Sequence, residues 1–139
     1  MVKRTLLVLA TVLLAYWVVV SYWTVGIGML DLKQIVIMKT NSFNPAEAVE
    51  VQRLDTQRDL RVLSRAVGSA KARPGIADVA EPNYMVRAQF LFQPDRLYFF
   101  WAAESGDIGM MRASDTHRFY TISGQHAEAI RPLLLGAGQ

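Results

Sequence analysis

TLLVLATVLLAYWVVVSYWTVGIGML, residues 5–30, is an uncharged run that lies between two basic residues and Asp31. At about 1.5 Å of rise per residue, a helix of this length would measure roughly 39 Å, against a bilayer hydrocarbon core of roughly 30 Å. A cleavable signal peptide has a shorter apolar region, of roughly 7 to 15 residues, although Gly26-Ile27-Gly28 would satisfy its cleavage site. We therefore favour an uncleaved signal anchor over residues 1–30, with cleavage as the alternative.

The basic residues around this run predict its orientation. Lys3, Arg4 and the terminal amine precede it, whereas Lys33 and Lys39 lie beyond it. Positive charge collects on the cytoplasmic side of a membrane. We expect a single-pass membrane protein, held in the membrane from Thr5 to Leu30, with a cytoplasmic N-terminus and an extracytoplasmic C-terminal domain.

The charge balance argues against nucleic acid as a partner. The formal net charge is +3, and Lys3 and Arg4 supply two of these charges. The part beyond Leu30 is therefore close to neutral, whereas a domain that binds phosphate backbones needs a basic excess of its own. The chain has no cysteine, which excludes disulfides, thiolate metal sites and thiol catalysis. No cofactor is expected.

The remaining sequence predicts an α+β domain: a small antiparallel sheet of four to six strands packed by two helices. Residues 31–48 are interpreted as a juxtamembrane strand, over 32–38, followed by a linker, because the turn-forming run 41–45 ends the strand. The domain proper is placed at 49–139. Val49 and Val51 indicate its first short strand, ending near Leu54.

The clearest helix is predicted at residues 57–70, with Thr56 as its N-cap. Its apolar positions share one face, and they are Leu60, Leu63, Val67 and Ala70. The opposite face carries an arginine stripe, formed by Arg58, Arg61 and Arg65. We interpret the stripe as the solvated back of an amphipathic helix. The functional alternative is a binding surface for anionic headgroups or an anionic envelope polymer.

An aromatic β-hairpin is predicted from the alternating run at 85–92, a turn at 93–96 and a returning strand at 97–101. If Phe92 pairs with Leu97, Phe90 faces Phe99 and Ala88 faces Trp101. Both faces are then too apolar for open solvent. Either a further element covers the second face, which we favour, or that face is a partner surface.

The C-terminal part predicts a brief strand at 110–112, a turn at 114–117 and a strand at 119–122. Ser123 is placed to cap a closing helix that begins at Gly124. Pro132 lies inside this helix, where its missing N–H is expected to distort the last turn.

Two segments of the sequence resemble a known family. GIADVAEPNY at 75–84 and DTHRFYTIS at 115–123 are similar to segments of the YhfM-like domain of Gram-positive membrane-anchored proteins and lipoproteins. The resemblance covers roughly residues 55–135. It implies an extracytoplasmic, membrane-tethered module and brings no catalytic residue with it. Many members carry a lipoprotein cysteine, which this chain lacks, so a transmembrane anchor would serve in its place.

One constellation points to catalysis. Asp115 and His117, with a hydroxyl from Thr116 or Ser105, are the residue types of an acyl-transfer site. Glu104 and Asp107 come from a neighbouring loop. The structural alternative, which we favour, is that Asp115 bonds nearby backbone N–H groups and holds the turn.

A metal site is not expected, because the only two histidines, His117 and His126, lack the spacing of a helical ligand pair.

The first functional hypothesis is a non-enzymatic binding or interaction module at the cell surface, with a cell-envelope protein or anionic polymer as its partner. Its surfaces would be the loops at 76–84 and 104–117, since loops on a rigid scaffold carry recognition. The candidate binding residues there are Asp78, Tyr84, Glu104 and Asp107. The alternative is a cell-wall-directed hydrolase or transferase that uses His117.

Overall fold

A computed structural model describes residues 2–23, 26–74 and 79–136. In this part of the chain, three helices accompany one sheet: α1 (Val2–Trp23), α2 (Gln57–Gly68) and α3 (Gly124–Leu135). The strands are β1 (Leu32–Lys39), β2 (Val49–Leu54), β3 (Lys71–Arg73), β4 (Tyr84–Phe90), β5 (Arg96–Trp101), β6 (Ile108–Arg112) and β7 (Asp115–Ile122). The predicted α+β class is confirmed.

The sheet is antiparallel, with the strand order β2-β1-β4-β5-β6-β7-β3. The prediction of four to six strands was too low, because the structure describes seven. The additional strand is β3, in which Lys71 pairs with Thr121 and Arg73 with Phe119. All three residues of β3 are exposed, so no apolar alternation marks it in the sequence.

Strand β1 is an interior strand of the sheet, paired with β2 on one side and β4 on the other. Its residues Ile35 and Ile37 are fully buried. The segment 31–48 therefore supplies part of the domain core and does more than connect it to the N-terminal helix. This position explains the apolar character of the run, because an interior strand with both faces covered needs few polar side chains.

The boundaries of α2 follow its sequence signals closely. Thr56 is the N-cap, and its hydroxyl accepts a hydrogen bond from the Asp59 N–H at 3.3 Å. The helix ends at Gly68, two residues before the predicted end at Ala70. Ser69 closes it, since its hydroxyl donates to the Ala66 carbonyl at 2.7 Å. Together with α3, the buried face of α2 covers one face of the sheet.

The predicted register of the aromatic hairpin is wrong. Leu97 pairs with Arg87, and Ala88 pairs with Arg96, so Phe92 lies outside the strands. The reason is a loop at 91–95 that is fixed from outside the hairpin: the Leu91 N–H donates to the Asp31 carbonyl at 2.8 Å. A tight turn at 93–96 is therefore replaced by a longer connection.

The side chains on each face of the sheet therefore differ from those that the predicted register places there. Ala88 and Phe90 lie with Tyr98 and Phe100 on the helix-covered face. Phe99 lies on the opposite face, in a second cluster. The members of that cluster are Val36, Met38, Met85, Phe99 and Met111.

The strands define two ends of the sheet. Leu32 pairs with Phe90 and Arg112 with Asp115 at one end, which we call the basal end. Ile108 pairs with Ile122 at the other, distal end. The predicted turn at 114–117 is shorter than expected, because β7 begins at Asp115 and leaves only residues 113 and 114 outside the strands.

Helix α1 leads into the basal end of the domain. Ile27 is buried in the core, and its carbonyl accepts a hydrogen bond from the Ser64 hydroxyl at 2.6 Å. The Arg96 guanidinium donates to the Gly26 carbonyl at 3.0 Å. Thus the last residues of the uncharged run belong to the folded domain. Across the described residues, no helix meets both the length and the hydropathy needed for a membrane span.

Candidate binding groove on the open face

The face of the sheet opposite α2 and α3 is apolar and only partly covered. Three aromatic contacts cross it: Phe43 with Phe99 at 5.2 Å, Phe43 with Trp101 at 6.0 Å, and Trp101 with Phe119 at 5.4 Å between ring centroids. The edge-on geometry of the first and last pairs is the favoured one for aromatic rings. Phe43 is the outermost of these rings and remains 39 % exposed.

Local hydrogen bonds place Phe43 over the sheet. The Thr40 N–H donates to the Asn83 carbonyl at 3.2 Å, which attaches the loop to the start of β4. Asn44 then caps a single 3₁₀ turn at Pro45–Glu47, accepting from the Ala46 N–H at 3.1 Å. The turn-forming residues that predicted a break after β1 therefore build a loop across the open face.

Beside this loop lies a groove of about 590 Å³. We call it the open-face groove, and it is lined by Phe43, Pro45, Val79, Phe99, Met111, Ala113 and Thr116. None of these described lining residues is charged. A concave apolar surface of this size suits an apolar side chain or a short apolar segment of a partner.

Residues 80–83 are held against the same face of the sheet. The Trp101 indole N–H donates to the Ala80 carbonyl at 2.7 Å. The Asn83 side chain donates to the Ala102 carbonyl at 2.6 Å and accepts from the Ala102 N–H at 2.9 Å. Side-chain hydrogen bonds to Trp101, at the end of β5, and to Ala102, directly after it, thus hold this rim of the groove.

The structure gives an outcome for one of the two predicted binding residues in the loop at 76–84. Asp78 lies outside the described residues. Tyr84 begins β4 and is only 5 % exposed, packed in the core on the helix-covered face. The expectation that Tyr84 lies on a recognition loop is therefore wrong, since its side chain is one of the apolar residues that the helices bury.

The Asp115 carboxylate contacts the backbone and an arginine. One oxygen accepts from the His117 backbone N–H at 3.4 Å, and the other lies 3.7 Å from the Arg118 Nε. The His117 side chain is exposed. In this arrangement Asp115 stabilises the start of β7, and neither contact orients the imidazole as a triad carboxylate would.

Thr116 lies beside Asp115 and His117 in β7, but Glu104, Ser105 and Asp107 lie at the distal end. Glu104 and Asp107 belong to the loop between β5 and β6, whereas His117 lies near the basal end of β7. At about 3.3 Å per residue, the five residues from His117 to Ile122 span roughly 16 Å. The structure does not bring these residues together. Among the described residues, no group of three or more candidate metal ligands was found.

Arg131 organises the loop that carries Glu104 and Asp107. Its buried guanidinium donates to the Ala103 carbonyl at 3.0 Å and to the Gly106 carbonyl, and it pairs with Glu128. Asp107 itself lies 3.7 Å from Arg73, with both side chains about half exposed. No local sequence pattern indicates this role of Arg131, because two of its partners are backbone carbonyls of a distant loop.

The arginine stripe of α2 lies at exposed positions. Arg58, Arg61 and Arg65 are solvent-facing, while Leu60 and Leu63 on the other side of the helix are buried. This is the amphipathic arrangement that the spacing predicts.

A second concavity, of about 830 Å³, opens at the basal end between residues 93–98 and 112–115. It carries two arginines, Arg96 and Arg112, and two aspartates, Asp95 and Asp115. The charges balance, so this basal cleft has no net preference for an anion. Tyr98 also lines it. Burial raises the pKa of the Tyr98 phenol, and it is the largest influence on that pKa.

Comparison with protein families, curated proteins and solved structures found no match for the chain. The similarity to the YhfM-like domain therefore remains a prediction from two sequence segments.

Proposed function

We propose that the chain is a membrane-tethered, extracytoplasmic binding module that holds an apolar segment of a cell-envelope protein in the open-face groove. The observation that carries this proposal is the asymmetry of the sheet. Two helices cover one apolar face, whereas the other is crossed by a loop that leaves an uncharged groove of about 590 Å³. Membership of the YhfM-like family is part of the same proposal.

The tether is proposed from the sequence of the N-terminal run. Gly26 and Ile27 are bonded to the folded domain, so the uncharged stretch available to a bilayer is 5–25. As a helix it would measure roughly 32 Å, close to the roughly 30 Å of a hydrocarbon core. The preceding Lys3 and Arg4 favour a cytoplasmic N-terminus.

A protein partner fits the groove better than an anionic polymer does. The lining residues are apolar apart from Thr116, and a polyanion would find no charge partner there. The arginine stripe is the surface that a polyanion would use, and it lies on α2, which packs on the other face of the sheet. The hydrolase alternative needs an oriented His117, and the contacts of Asp115 do not supply one.

The test is site-specific photo-crosslinking in intact cells, with the photoreactive residue at Phe43. We expect a discrete adduct with an envelope protein. Thr116→Arg should abolish that adduct, because an exposed groove-lining residue becomes a charged obstruction. His117→Arg is the matched control: it places the same side chain one residue further along β7, at an exposed position outside the groove lining, and should leave the adduct unchanged.

Two results would count against the groove. One is an adduct at Phe43 that survives Thr116→Arg at full yield. The other is the same adduct obtained from a photoreactive residue at Arg61 on the stripe, which would move the binding surface to α2.

A further inference from the structure

Three large apolar side chains stand exposed together at the basal end of the domain. Leu30 is 99 % exposed, Phe92 86 % and Leu91 62 %. We call these three residues the basal tip. They are not scattered surface residues, because hydrogen bonds hold their backbones side by side.

Asp31 is the residue that joins them. Its carbonyl accepts from the Leu91 N–H at 2.8 Å, and its carboxylate accepts from the Phe92 N–H at 3.4 Å. The Gln93 side chain donates to the same carboxylate at 2.9 Å. Since Leu30 precedes Asp31 directly, the loop at 91–93 is fixed next to the point where the chain enters the domain.

The distance from the proposed tether is short. Gly26 is held by Arg96, and only Thr24 and Val25 separate it in sequence from the last residue of α1. Three peptide steps reach at most about 11 Å. If the N-terminal run lies in a bilayer, the loop at 91–96 must therefore lie close to the surface of that bilayer.

We propose that the basal tip inserts into the boundary between headgroups and acyl chains of the membrane that holds the tether. This inference rests on the proposed tether and adds a second contact, which fixes the orientation of the domain and keeps the open-face groove at a defined height. Exposed Leu and Phe side chains are the residue types that seat peripheral segments at this depth.

The docking is expected to depend on apolar contact and not on charge. The neighbouring basal cleft carries as many aspartates as arginines, and Lys33 follows Asp31 two residues later in the sequence. Anionic lipid is therefore not required, and moderate salt should not release the tip.

The experiment uses the full chain reconstituted into phosphatidylcholine vesicles. The natural chain has no cysteine, so Pro94→Cys and Ser105→Cys each give a single site for a nitroxide label. Both positions are exposed; residue 94 lies in the basal loop and residue 105 in the distal loop. We expect several-fold less collision with a water-borne nickel chelate at residue 94 than at residue 105, and the reverse order for oxygen.

The reporter at residue 94 leaves the basal tip intact, so the tip itself can then be changed. Adding Leu91→Ser and Phe92→Ser should raise nickel accessibility at residue 94 to the level of residue 105. Equal accessibility of the two sites in the unmodified tip would overturn the inference. So would protection that persists after both serine substitutions, or protection that appears only when anionic lipid is added.

Vesicle flotation at alkaline pH separates this inference from the tether. Protein that floats with an accessible residue 94 retains the tether and lacks the docking. Protein that fails to float lacks the tether, and the docking inference fails with it.

Discussion

Arg131 is the residue on which the distal loop depends most. Its guanidinium is buried and serves two loop carbonyls as well as Glu128. We expect Arg131→Met to lower the free energy of unfolding by about 2 kcal/mol, because charged hydrogen bonds to two carbonyls are lost. Glu128→Gln should cost less than about 0.5 kcal/mol, since that carboxylate is 71 % exposed. Urea denaturation of the full chain in detergent measures both, and equal losses would contradict the assigned role.

Gly109 lies where any larger residue meets the aromatic contacts of the open face. A Cβ there would stand 2.4 Å from Cζ of Phe119 and 3.3 Å from Cβ of Trp101. Gly109→Ala is expected to cost about 1–3 kcal/mol, because the ring must leave its contact with Trp101. Gly28→Ala is the control, since a Cβ at that position has no neighbour within 4 Å.

A second substitution tests the cause of the Gly109 effect. Phe119→Leu removes the ring atoms that a Cβ at residue 109 would meet. The double variant should therefore lose less stability than the two single variants together. Additive losses would mean that the clash lies elsewhere.

Tyr98 gives the domain a pH dependence at the alkaline end. Burial raises the pKa of its phenol above the ordinary value of 10.0, while Arg96 and Arg112 act in the other direction with less effect. The unfolded chain therefore loses this proton at a lower pH than the folded chain. Stability from Tyr98 is complete below about pH 10 and falls as the pH rises through the folded-state pKa. Tyr98→Phe should flatten this fall in a pH series of urea denaturations; an unchanged slope would contradict the assignment.

At the scale of elements, the N-termini of α2 and α3 offer a matched comparison, because the predicted side-chain cap forms at Thr56 and the one predicted at Ser123 does not. The Thr56 side chain caps α2, whereas Ser123 stands at the N-cap position of α3 and makes no side-chain cap bond. Thr56→Ala is therefore expected to cost about 1 kcal/mol and Ser123→Ala only a few tenths. Thermal or urea unfolding distinguishes them, and a larger loss at Ser123 would reverse the assignment.

Elements with a local signal were predictable from the sequence. Helix α2 begins at the predicted residue because Thr56 and the apolar spacing act within a few residues of each other. Strands β1 and β2 follow from β-rich runs bounded by turn formers. The short strand β3 was missed because tertiary pairing with β7, and not its own pattern, makes it a strand.

Features set by distant partners were not predictable. The hairpin register depends on Asp31, which fixes the loop at 91–93 from about sixty residues away in sequence. The sequence predicts that the second face of the hairpin is apolar, but it does not indicate which element crosses that face. The loop that carries Phe43 crosses this face, where it is held by a hydrogen bond to Asn83. The predicted pair Asp115 and His117 is separated by one residue, but the proposed partners Glu104 and Asp107 lie at the other end of the strands.

At the scale of the whole molecule, the N-terminal run is joined to the domain by a short connection that leads into an interior strand of the sheet. Strand β1 begins two residues after Leu30 and lies inside the sheet, between β2 and β4. Only Thr24 and Val25 stand between α1 and Gly26 in the sequence, so little chain length is available to separate the module from the proposed tether. We propose that the tether, the basal tip and the open-face groove form one arrangement, in which membrane attachment would set where the groove is presented.

Cysteine accessibility in intact cells tests that arrangement most directly. The variants are Val2→Cys in α1 and Ser105→Cys in the distal loop, each the only cysteine of its chain. A membrane-impermeant maleimide should label Ser105→Cys before lysis and Val2→Cys only after it, with both proteins retained in carbonate-washed membranes. Release of the protein by carbonate, or labelling of Val2→Cys but not Ser105→Cys in intact cells, would contradict a membrane-tethered, extracytoplasmic module.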